Sequence, residues 1–169
     1  PGNETFLTGD GIIVHNTLNT FHATGSGSVQ MQGVPRVEEL TRATKKIRIS
    51  IYKAKNLTQA KSVAFTIAES PLVKTAMFGS DANWGRILAA VGRDKTIETI
   101  DDVQIAVNGV PLVKKGSIDS KYSEAKATKA MKKREINVQV VLYSGKAEFE
   151  VLTSDLSEDY VLINSDYRS

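Results

Sequence analysis

The stretch Ser70-SPLVKTAMFGSDANWGRILAAVG-Gly92 contains the chain's single tryptophan, a proline, three glycines and a cation set on an apolar helical face. Trp84, Ile87, Leu88 and Val91 recur at i, i+3, i+4 and i+7, the spacing of a half-buried helix. Asp81 or Asn83 can cap its start, and Gly92 offers a C-cap. Pro71 disfavours helical geometry at Ser70, so it ends whatever helix precedes it. Gly79, Ser80, Asp81 and Asn83 form a turn whose free backbone N–H groups suit an anion. Arg86 then stands in the first helical turn, against the dipole, and calls for an anionic partner. Two readings stay open: Trp84 as core with Lys74 and Arg86 as solvated cations, or Asn83, Trp84 and Arg86 bordering a pocket or subunit seam.

Working outward, "IRISI" alternates Ile47, Ile49 and Ile51 as a strand does. Asn56 with Gln59 makes a capping box for a helix carrying Ala60, Val63, Ala64, Ile67 and Ala68 on one face. Val103 to Val113 reads as a hairpin about Asn108-Gly109, a pair suited to a type I′ turn. Ser120 to Lys133 is a charged helix with a thin apolar stripe. "INVQVVLYSGKAEFEVLT" reads as a second hairpin, and Tyr160 to Asn164 as a last short strand. The order β-α-α-ββ-α-ββ-β predicts an α+β fold, with helices packed on a mainly antiparallel or mixed sheet.

Composition narrows the function. The 169 residues, 41% hydrophobic and 24% charged, can bury a core without staples. With no cysteine, disulfides, thiol catalysis and thiolate metal sites are excluded. No apolar run approaches a membrane span, and a cytoplasmic location is expected. The net charge of +3 is dispersed, apart from Lys132-Lys133-Arg134 at a helix end, so a nucleic-acid partner is not expected. Residues 1–42 are rich in glycine and show no sustained period, whereas regular elements begin at Ala43. Two units follow: an irregular N-terminal segment, 1–42, and an α/β domain, 43–169.

The Ser70–Gly92 motif resembles that of the glutamate N-acetyltransferase, or ornithine acetyltransferase, family, and the similarity runs from Ala43 to Ser169. The resemblance implies an acyltransferase of arginine biosynthesis, made as a precursor that cleaves itself into α and β chains. The new N-terminal Thr of the β chain takes acetyl from N-acetylornithine and passes it to glutamate without a cofactor or metal. The present chain is similar to the C-terminal part of the β chain. Partners implied are the α chain of the same precursor, in a hetero-oligomer, and the amino-acid substrates. "YVLINSDYRS" matches the family's terminal segment, which assigns substrate binding to Asn164 and Ser169. "ATKK" matches an Ala-Thr-Lys stretch, giving Thr44 and Lys45, with Lys45 a further pocket or interface candidate. Two departures matter. Leu40, Thr41 and Arg42 stand where the family has Gly-Glu-Gly, so a substrate-binding carboxylate is missing. No copy of the nucleophilic Thr is present, so no catalytic residue is assigned and the chain alone is expected to be incomplete. The alternative is a non-catalytic scaffold or a fragment of other origin.

The N-terminal segment points elsewhere. "NETFLTGDGIIVHNT" resembles an intein C-terminus, which implies self-cleavage through His15, Asn16 and Thr17. "TLNTFH" and "GVPR", within 17–42, resemble the trigger-loop region of an RNA polymerase largest subunit. Neither stretch holds the rest of the machinery that such chemistry requires; the fragment of other origin kept as an alternative is one derived from an intein or an RNA polymerase.

Overall fold

A computed structural model describes residues 5–7, 13–15 and 43–166. Within the segment expected to be irregular, β1 (Thr5–Leu7) and β2 (Ile13–His15) pair antiparallel, Thr5 opposite His15. The remaining elements form one six-stranded mixed sheet with helices against it.

β3 (Lys46–Ala54) is the spine. Ile47, Ile49 and Ile51 are fully buried, while Lys46 and Arg48 alternate out to solvent, as a period of two requires. α1 (Leu57–Ala68) follows; Asn56 is extended and accepts from the Gln59 amide at 2.8 Å. The return arm of the expected capping box is displaced by one residue. Gln59 Oε1 accepts from the Lys55 amide at 2.9 Å, and its Nε2 donates to the Thr96 carbonyl at 2.7 Å.

Next comes a helix absent from the sequence reading, α2 (Pro71–Phe78). Pro71 does end α1, but it also opens α2 from the first helical position, where its missing N–H costs nothing. Ser70 caps it by accepting from Val73 N at 3.4 Å. α3 (Trp84–Arg93) begins where expected and buries Ile87, Leu88, Ala90 and Val91. Gly92 is not its cap: the helix runs to Arg93 and Asp94 follows at φ −69°. Gly92 instead packs close to Ile100, whose Cγ2 lies 3.5 Å from the position a Cβ would take.

β4 (Gln104–Val107) and β5 (Val110–Lys114) form the expected hairpin. Asn108 and Gly109 have φ of 48° and 79°, both positive as a type I′ turn needs. β6 (Ser117–Ile118) extends the edge, and α4 (Glu124–Met131) is shorter than the 120–133 span expected.

β7 (Glu135–Val141) and β8 (Ala147–Ser154) are strands, but they do not pair with each other. The sheet order is β6-β5-β4-β7-β3-β8, so β3 lies between them, parallel to β7 and antiparallel to β8. The expected hairpin therefore becomes a crossover. Its turn lacks the two-residue length of a tight hairpin, and β3 offers an Ile-rich edge to each strand.

The last expected strand, Tyr160 to Asn164, is instead the middle of α5 (Glu158–Asp166). Its start decides this: Ser157 Oγ accepts from Tyr160 N at 3.3 Å, and Glu158 and Asp159 complement the dipole. These local terms outweigh the β-propensity of Tyr-Val-Leu-Ile.

Candidate functional site

The expected residues divide into three groups. Asn16, Thr17 and Ser169 lie outside the described residues. Asn164 lies in α5 rather than at a strand end, and His15 closes the β1–β2 hairpin. Lys45, Asn83, Trp84 and Arg86 gather around the turn between α2 and α3, together with residues the sequence did not single out.

Asn83 caps α3: its Oδ1 accepts from Arg86 N at 3.1 Å, and its Nδ2 donates to Asp81 Oδ2 at 3.0 Å. Its side chain is therefore committed to the helix start. Asn83→Ala is expected to cost about 1 kcal/mol in urea unfolding, with Asn83→Asp recovering most of it. Trp84 is half-buried and packs against the core from its rim rather than filling it. Arg86 finds a partner that is not anionic: Nη1 donates to the Leu72 carbonyl at 3.0 Å and to Thr75 Oγ1 at 3.3 Å, tying α3 to α2.

Lys45 is the most connected of the expected residues. It precedes β3, is 8% exposed, and sends its ammonium into the protein. Nζ donates to the Met77 carbonyl, to Ser80 Oγ at 2.7 Å and to the Met131 carbonyl at 2.9 Å. Met77 and Met131 belong to the last turns of α2 and α4, where carbonyls lack intrahelical donors and the dipole favours a cation. Burial lowers the Lys45 pKa, and the nearby Asp155 charge pulls it partly back. Ser80 is held in the left-handed region at φ 57°, an unfavourable conformation for a residue with a Cβ, and its hydroxyl faces this ammonium.

Asp155 is the residue sequence reasoning missed. Its Oδ1 accepts from the Thr44 and Lys45 amides at 3.0 and 3.1 Å, and its Oδ2 accepts from the Thr44 hydroxyl. Only 5% exposed, it joins the residues entering β3 to those leaving β8. "SDLSED" reads as an ordinary polar turn, and no local pattern signals a partner 111 residues away.

A cleft of about 750 Å³ opens beside this region, lined by Lys46, Arg48, Asn108, Glu135, Asn137 and Thr153 among others. Among the described residues no three His, Asp or Glu side chains are grouped to hold a metal ion, and no helix is long and apolar enough to cross a membrane.

The profile that describes the ArgJ family matches residues 37–169. The chain belongs to the ArgJ family. An ArgJ relative from Methylococcus capsulatus, named arginine biosynthesis bifunctional protein, is 50% identical over 129 residues, covering 75% of this chain and 31% of that protein. The like-named Bradyrhizobium diazoefficiens protein is 44% identical over 127 residues, with the same two shares. That of Agrobacterium fabrum is 38% identical over 152 residues, 90% of this chain and 37% of the relative. The crystal structure of ArgJ from Bacillus halodurans superimposes with a TM-score of 0.72 at 34% identity, covering 80% of this chain and 62% of that one. The chain thus spans about a third of the length of these curated ArgJ relatives.

Proposed function

We propose that residues 43–169 are the C-terminal part of an ornithine acetyltransferase β chain, supplying substrate contacts to an acetyl transfer from N-acetylornithine to glutamate. The observation that carries this reading is the match to the ArgJ family across 37–169, with a shared fold at 34% identity. The relatives' printed role in arginine biosynthesis supports the amino-acid substrates. In this reading the location is cytoplasmic, and the partner is the α chain of the same precursor, in a hetero-oligomer.

The chemistry divides between the pieces. A threonine hydroxyl becomes nucleophilic when a base, its own α-amine included, removes its proton. Hydrogen-bond donors then stabilise the tetrahedral oxyanion. Both belong to the remainder of the enzyme. This chain contributes Asn164 and Ser169 as polar contacts to the substrate; an Asn amide can donate to a carboxylate and accept from an amine. Leu40-Thr41-Arg42 leave the substrate amine without the family's carboxylate, so weakened affinity is part of the proposal.

N-Acetylornithine at a hundred times its dissociation constant should stabilise the chain by about 2.7 kcal/mol. Thermal unfolding with and without ligand measures this, and Asn164→Ala should abolish it. Acetyl transfer should appear only when the complementary chains are added. Absence of both stabilisation at millimolar ligand and transfer in the reconstituted mixture would leave the scaffold alternative.

A further inference from the structure

α5 has little packing of its own to hold it. Glu158, Asp159, Val161 and Leu162 are exposed; the last two keep 57% and 58% of their surface in solvent. With only Tyr160 and Ile163 partly buried among its described side chains, the helix takes much of its position from its root. That root is fixed. Asp155 receives three hydrogen bonds from Thr44 and Lys45, Leu156 N donates to the Lys74 carbonyl at 3.4 Å, and Ser157 caps the helix. Lys45 is itself anchored to the ends of α2 and α4.

We propose that Asp155 is a positioning residue: it binds the chain entering β3 to the root of α5, and so fixes where α5, the helix that carries Asn164, stands for the substrate. The proposal rests on the acetyl-transfer reading above, because the resemblance places a substrate contact on α5 at Asn164, in the helix that this tie anchors. A buried carboxylate serving three donors fixes both segments at once, and each donor left unpaired would carry a desolvation cost. Pre-organisation of this kind raises affinity without touching the ligand, by removing the ordering cost that binding would otherwise meet.

The test combines hydrogen exchange and calorimetry on the whole 169-residue chain. In Asp155→Ala, amides of 43–46 and 156–163 should exchange at least about tenfold faster, while those of β7 and α1 keep their wild-type rates. Asp155→Asn should be intermediate: its remaining oxygen can serve the two backbone amides, while its NH₂ meets a Thr44 hydroxyl able to rotate and accept. The dissociation constant for N-acetylornithine should rise about tenfold in Asp155→Ala and about threefold in Asp155→Asn. Ser62→Ala, remote from the tie, should lower the melting temperature and leave that constant unchanged. Wild-type exchange in both Asp155 variants overturns the proposal, as does faster exchange with unaltered affinity. A wild-type chain that takes up no N-acetylornithine at millimolar concentration sinks the acetyl-transfer reading instead, while the exchange rates still decide whether the tie exists.

Discussion

Gly145→Ala is expected to destabilise the protein by about 2–4 kcal/mol, a large effect for one methyl group on an exposed loop. The loop between β7 and β8 has to pass over the end of β3. Leu142 N donates to the Tyr52 carbonyl at 3.0 Å, and the Ser144 and Gly145 amides both donate to the Lys53 carbonyl at 2.9 Å. That draws Gly145 onto the backbone of β3's end. A Cβ there would lie 2.4 Å from the Ala54 carbonyl oxygen and 2.8 Å from Lys55 Cα. Both are main-chain atoms, so no side chain can swing aside. Lys53 and Tyr143 already hold φ of 53° and 56°, with the Lys53 ammonium 4.5 Å above the Tyr143 ring, so the crossing has little strain left to give. Gly109→Ala is the control. It has positive φ but open space around it, and should cost only about 1 kcal/mol. Urea unfolding of both variants measures the difference; equal losses would mean that the crossing is not tight.

Asp94→Ala is the second large effect, an expected loss of about 3 kcal/mol or more. The carboxylate is 4% exposed and closes α3 against α1. Oδ2 accepts from Ser62 Oγ at 2.7 Å and Thr66 Oγ1 at 3.0 Å. Oδ1 accepts from the Thr96 amide at 2.8 Å and its hydroxyl at 2.5 Å. Burial alone would push this carboxyl up. The hydrogen bonds from Thr96, Ser62 and Thr66 together outweigh it, and the net pKa lies below the ordinary carboxylate value. The folded state therefore binds the proton less readily than the unfolded chain. The resulting stability is complete above the unfolded pKa and disappears as pH falls through the folded one. Unfolding free energy measured from neutral pH down past the carboxylate range should fall less steeply in Asp94→Asn than in wild type. Parallel slopes would remove Asp94 from the acid response.

How much of this was legible depends on the range of the deciding interaction. The starts of α1 and α3, the Asn108-Gly109 turn and the Ile face of β3 were readable because each is set by residues within a few positions. α2 is hidden because Pro71 serves two roles at once: it terminates α1 and, behind the Ser70 cap, starts the next helix. α5 reads as a strand because Tyr-Val-Leu-Ile has high β-propensity, whereas the Ser157 cap and its acidic neighbours decide for a helix. The β7–β8 partition could not be read at all: alternation identifies strands but not their neighbours, and here the neighbour comes from the start of the unit. The site shows the same division. Asn83 and Lys45 were found by motif, whereas Asp155 joined Lys45 only through tertiary structure.

The placement of β3 also sets an order of events during synthesis. This strand leaves the ribosome before any other in the six-stranded sheet, yet both its edges wait for the two strands made last. Until Val141 has emerged, an isoleucine-rich ribbon on the nascent chain is open on two sides, and until Ser154 has emerged it is open on one. The native sheet therefore closes only after nearly the whole unit has been translated, by pairing segments far apart in the chain, a slow and aggregation-exposed route to a folded state.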